Sequence, residues 1–189
     1  MDSEQQPVRQ FGWQDMWVAP EDDPRVLGPV AGERNVLLTY LRDYRATLRL
    51  KCSGLDARAL ARRSVPPSNL SLLGLVRHLT EVERAWFRRT MAGQDVPFVY
   101  RTDESPGGDH DDAVGEPAVV ELAWRNWQAE IDFAEEFLAN ASSLDITGTT
   151  KAGDTIELRE VLVHLIEEYA RHCGHADLLR ERIDGRVGQ

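Results

Sequence analysis

The sequence predicts an all-α protein: a four-helix bundle behind an extended N-terminal arm. Three observations predict it. Four long segments repeat apolar residues at the spacing of one helix face. Connectors rich in proline, glycine and short polar residues part them. At 189 residues the chain suits one well-packed domain rather than two. Packing four such faces together is the economical way to bury them.

Residues 1–30 contain Pro7, Pro20, Pro24 and Pro29. Proline removes a backbone donor and blocks helix propagation, so this stretch reads as an extended arm or a set of turns. Trp13 and Trp17 would lay it against the body, and residues 31–187 are left for the bundle. The first helix lies in ERNVLLTYLRDYRATLRLKCSGL, where Val36, Leu37, Tyr40, Leu41, Tyr44 and Leu48 recur at helical spacing and Gly54 stops the run. A one-turn or irregular segment around Leu60 leads to Pro66-Pro67. Ser68, Asn69 and Ser71 then offer N-caps for a second helix reaching about Gly93. Its buried face is Leu72, Leu75, Val76, Leu79, Val82, Trp86 and Phe87, with His78 beside it.

From Val96 to Glu116 the chain reads as a loop. Its acids around Gly107-Gly108 lack the spacing of an EF-hand, so it is expected to be a solvated acidic connection, with His110 an ordinary exposed histidine. Pro117 suits the first turn of a third helix extending to about Ala141, its apolar side made by Leu122, Trp124, Trp127, Ile131, Ala134 and Leu138. LDITGTTKAGDTIE is a turn or a short β-like excursion. The last helix runs from about Leu158 to Ile183 and stops at Asp184-Gly185. The two longer connectors, after the second and third helices, permit a topology other than up-down-up-down.

Composition narrows the function. A formal charge of -10 argues against a general nucleic-acid binder, which needs a concentrated basic face. No apolar stretch approaches the ~20 residues that span a bilayer, and MDSEQQPVRQ lacks the apolar core of a signal peptide. Cys52 and Cys173 form no CxxC motif, so a reduced, cytoplasmic protein is expected. Cys173 adjoins His172 but projects about 100° away from it on a helix, and reads as packing rather than a nucleophile.

The chemistry concentrates in VHLIEEYARHCGHADLLRERIDG. Helical spacing puts His164, Glu168 and His172 on successive turns of one face, with His175 close by. Residues four apart have Cβ atoms about 6 Å apart and can chelate one ion. His164 and His172 are about 12 Å apart along the axis, too far to share one with ordinary geometry. The local pair is therefore His164/Glu168, Glu168/His172, or a variant recruiting His175, and spacing alone does not choose. His78 from the second helix would supply a third donor and leave coordination positions open, as catalysis prefers. The competing interpretation is a hydrogen-bonded core histidine at position 78, with Glu168 paired to Arg171 or Arg159. A diiron centre is disfavoured because Glu-x-x-His does not occur twice, and no G-x-S-x-G nucleophile motif is present.

The two motifs PPSNLSLLGLVRHLTEVERAWFRR and LVHLIEEYARHCGHADLLRERIDG together resemble the DinB-like superfamily. The likeness is to its actinobacterial branch, catalogued as a domain of unknown function and sometimes labelled mini-circle protein, and it covers roughly residues 31–187. It implies a four-helix bundle holding a divalent metal through one ligand from the second helix and two, four residues apart, from the last. Aligning the glycine that follows the ligand pair on Gly174 puts the pair on Glu168 and His172, and His78 matches the ligand of the second helix. The superfamily's mycothiol-dependent maleylpyruvate isomerase also uses a His-Glu-His set, so the carboxylate fits. His164 and His175 are then pocket, ligand-orienting or proton-transfer candidates.

Zinc is the first expectation for the metal, with nickel, manganese and iron as alternatives. The resemblance implies a metal-dependent thiol S-transferase or related enzyme using a low-molecular-weight thiol such as mycothiol. The alternatives are a non-catalytic metal-binding protein, a dimeric interaction or stress protein without turnover, and a metal-dependent hydrolase. Relatives often form homodimers, and the Trp- and Leu-rich faces are compatible with that.

Overall fold

A computed structural model describes residues 17–25 and 28–188, so the expectation for the arm around Trp13 lies outside the described residues. Among the described residues, six α-helices and one small hairpin follow a 3-10 turn at Pro20–Asp22. Four helices are long: α1 (Glu33–Cys52), α3 (Leu72–Glu83), α5 (Pro117–Asn140) and α6 (Leu158–Asp184). Two are short, α2 (Ala57–Ala61) and α4 (Gly108–Asp111), and β1 (Thr147–Thr149) pairs antiparallel with β2 (Thr155–Glu157).

Local chemistry sets the helix ends. Asp56 accepts from the amide of Ala59 to start α2, and the Ser71 hydroxyl accepts from the amide of Gly74 at 3.0 Å to start α3. Pro117 occupies the first turn of α5, where its missing N–H costs nothing. Gly185 ends α6 with φ +78°, a left-handed conformation that a side chain would strain, and donates its amide to the Glu181 carbonyl. The expected second helix is α3 extended by a π-helical stretch, Arg84–Met91. That wider winding carries Trp86 to His164, and Arg84 and Arg88 to Glu130.

Cross-helix pairs reveal the topology. Glu33 and Lys51 of α1 pair with Arg159 and Asp177 of α6, so these helices run parallel. Phe87 meets Phe137, and Arg84 and Arg88 meet Glu130, so α3 with its extension runs parallel to α5. His78 faces His172 while Trp86 faces His164, which makes α3 and α6 antiparallel. Arg42 and Arg49 reach Glu135 and Gln128, so α1 and α5 are antiparallel as well. The order is up-down-down-up. Two consecutive helices pointing the same way need a connection that travels back along the bundle, and residues 92–116 make that crossover.

Leu41 and Leu48, Leu75 and Leu79, Trp127 and Leu138, and Leu162 and Tyr169 fill the core. Burying each apolar side chain of this size contributes ~1.5–3 kcal/mol. Two expectations are corrected. Leu122 is exposed, because the inward row of α5 passes one residue later through Ala123, Trp127, Ala134 and Leu138. Tyr40 is likewise exposed on α1.

A polar network crosses this core. Arg45 of α1 grips Glu83 of α3 through Nε and Nη2 at 2.7 and 2.8 Å, and Nη1 reaches Glu135 of α5 at 2.8 Å. The Tyr169 hydroxyl donates to Glu83 at 2.8 Å and accepts from the Trp127 indole at 2.9 Å. All four long helices contribute to it. Cys52 and Cys173 are buried free thiols, each pushed up to about 12 chiefly by burial, which agrees with packing rather than nucleophilic use.

Candidate metal centre

The chain has five histidines, and the fold gathers three of them around Glu168, with His110 packed on His78 and His175 on His172. α6 carries Glu168 and His172 on one face by their four-residue spacing, and the antiparallel α3 brings His78 against them. Oε2 of Glu168 lies 3.3 Å from Nε2 of His172 and 3.7 Å from Nε2 of His78. His164 stands one turn earlier, with Nε2 at 3.6 Å from Oε1 of the same carboxylate and its ring edge-on to Trp86. One carboxylate therefore faces three imidazoles. Arg159, the alternative partner considered for Glu168, pairs instead with Glu33, Asp145 and Glu157.

The donor atoms of His78, Glu168 and His172 fall within 4.8 Å of one another, close enough to converge on one ion. A second group, His78, Asp109 and His110, satisfies the same distance. Ring orientation separates the two. An imidazole binds a metal in its own plane, so two histidines can share an ion only where their planes intersect near both nitrogens. The rings of His78 and His172 cross at 63° with centroids 4.7 Å apart, an angle compatible with that condition. Those of His78 and His110 are stacked, 23° from parallel with centroids 5.0 Å apart, so their lone pairs run side by side. Of the two groups found among the described residues, the crossed rings favour the one containing Glu168.

Each imidazole of that set is held from behind. Nδ1 of His78 lies 2.9 Å from Oδ2 of Asp109, and Nδ1 of His172 lies 3.2 Å from Nδ1 of His175. Nε2 of both rings is thereby left facing Glu168. A partner on the far ring nitrogen fixes orientation and protonation in histidine metal sites. Burial, reinforced by the charges of His78 and His175, holds His172 down at about 3, so its ring is neutral at neutral pH. His78 and Glu168 keep about a fifth of their side-chain surface exposed, and His164 more than a third, so the cluster opens to solvent on the His164 side.

Asp109 and His110 were not expected here. The crossover is solvated along much of its length, with most of its acids exposed, but its turn at 108–110 packs inward. Asp109 is buried and His110 is half-buried, stacked on His78 rather than exposed. Burial lowers the pKa of the His110 ring despite the neighbouring Asp109. Burial also disfavours an ionised Asp109, but its hydrogen bond to His78 and the nearby histidine charges outweigh that and keep its carboxyl below the usual range. Length was the available signal, since a connection this long inside a small domain usually carries function.

A family description, mycothiol-S-transferase, matches residues 36–185, most of the chain. No curated protein and no solved structure matches it significantly. The chain belongs to the mycothiol-S-transferase family, within the DinB-like superfamily.

Proposed function

From that membership we propose an S-transferase that joins a low-molecular-weight thiol, mycothiol first, to an electrophilic acceptor at a divalent metal held by His78, Glu168 and His172. The observation that carries it is the approach of two imidazole Nε2 atoms to one oxygen of Glu168, each ring being held through its other nitrogen. Three protein donors with an open side suit a catalytic zinc better than a closed structural one, and nickel, manganese or iron accept the same nitrogen and oxygen donors. Such a cation supplies Lewis acidity that makes a thiol acidic enough to ionise at neutral pH.

The chain's own residues then divide the remaining work. In the transfer the thiol gives up its proton and its sulfur forms a bond to the electrophilic atom of the acceptor. The bond from that atom to the leaving group breaks, and the leaving group departs with the electron pair and takes up a proton. His164 is placed to take that proton at Nε2, because it borders the open side and lies against the outer oxygen of Glu168. His175 is committed through Nδ1 to His172 and serves orientation. Trp86 supplies an apolar wall beside His164.

Elemental analysis of tag-free protein tests the metal, with His78→Ala and His172→Ala prepared alongside. Near-stoichiometric metal in the parent, lost in both variants, supports the reading. A parent that is empty and takes up neither zinc, nickel nor manganese refutes it. Consumption of mycothiol with an electrophile, abolished by the same substitutions, tests the transfer.

A further inference from the structure

The crossover is built into the metal centre, and we propose that its Asp109 is a positioning residue that sets the tautomer and orientation of His78. The inference rests on the reading of His78 as a metal ligand. A carboxylate 2.9 Å from Nδ1 of His78 pairs with a protonated Nδ1, which leaves Nε2, the nitrogen that faces Glu168, as the one a metal would take. The other oxygen of this buried carboxylate accepts the amide of His110 at 3.2 Å, which adds to its hold.

The bland alternative is a contact that merely fastens the loop to α3. Other residues already do that. Arg77, one residue before His78, donates to the carbonyls of Gly108 and Asp112 at 2.7 and 2.6 Å. Glu81, three residues after it, accepts the amides of Val99, Tyr100 and Arg101. With the loop fastened on both sides, burying one further carboxylate is a cost that fastening does not explain. Orienting a ligand does explain it, and the His110 ring stacked on His78 limits motion in the remaining direction.

The test uses full-length protein. Nitrogen-15 NMR of metal-free protein reads the His78 tautomer, and competition with a chromophoric chelator reads zinc affinity. The parent should hold His78 as the Nδ1–H tautomer. Asp109→Ala should mix the tautomers and weaken zinc binding ~10–100-fold, the usual effect of losing such an outer partner. Asp109→Asn retains an acceptor oxygen and should restore the tautomer and most of the affinity, while amide exchange at residues 99–101 stays protected in both variants.

An Nε2–H tautomer in the parent overturns the proposal. So does an Asp109→Ala variant that binds zinc as tightly as the parent, or a parent that binds two zinc ions with Asp109 among the ligands. A parent with the expected tautomer that takes up no zinc supports the Asp109 assignment and overturns the metal reading instead.

Discussion

Glu168 and Tyr169 are neighbours on α6 whose side chains enter two separate polar systems. Successive helical residues project about 100° apart. Glu168 faces the histidines at the open edge of the bundle, whereas Tyr169 donates to Glu83 inside it at 2.8 Å. The first system keeps solvent access, whereas Arg45, Glu83 and Tyr169 of the second are buried. They make different predictions.

In the closed system, Glu83→Ala leaves the Arg45 guanidinium buried without its bidentate partner and should cost ~3–5 kcal/mol. Arg42→Ala, which removes the exposed partner of Glu135, should cost less than ~1 kcal/mol. Urea unfolding of both variants against the parent checks this, and equal losses would refute the asymmetry.

In the open system, Glu168→Gln keeps the size of the side chain and removes its charge. Metal affinity should fall further than the ~10–100-fold expected for an outer partner. The stability of the metal-free protein should stay within about 1 kcal/mol of the parent. Chelator competition and thermal melting read the two quantities separately.

The metal-free protein should weaken in acid through His172. Its folded ring titrates at about 3 against an ordinary value of 6.5, chiefly because it is buried. Between those values the unfolded chain binds a proton that the native state does not, so stability falls as pH falls. The slope from this one group is at most about 1.4 kcal/mol per pH unit, and the term is absent above pH 7. Urea midpoints at pH 7.5 and 5 should differ less in His172→Gln than in the parent.

Gly108→Ala tests the crossover without touching a ligand. A Cβ there would stand 2.4 Å from the Tyr100 carbonyl oxygen, so the backbone must shift. The expected cost is ~1–3 kcal/mol. Faster exchange of the amides held by Glu81 and a weaker hold on zinc should accompany it. A variant with parental exchange and affinity would show that the loop tolerates the shift.

The sequence by itself determined the helices and the axial part of the site. Helical period puts Glu168 and His172 on one face whatever surrounds them, and the Ser71 cap, Pro117 and Gly185 bound their helices through local chemistry. His78 is a candidate third donor on its own helical pattern and the resemblance matches it to the ligand of the second helix, since period cannot say which residue of another helix will face a given stripe. Only the tertiary structure decided the direction in which α5 runs. Once α3 and α5 lie parallel, the chain between them must return along the bundle, and that path carries Asp109 to His78, 31 residues earlier. Local sequence can encode the spacing of donors along one helix. The meeting of Asp109 with His78 depends on how separate helices pack, which is settled by burial across the whole core.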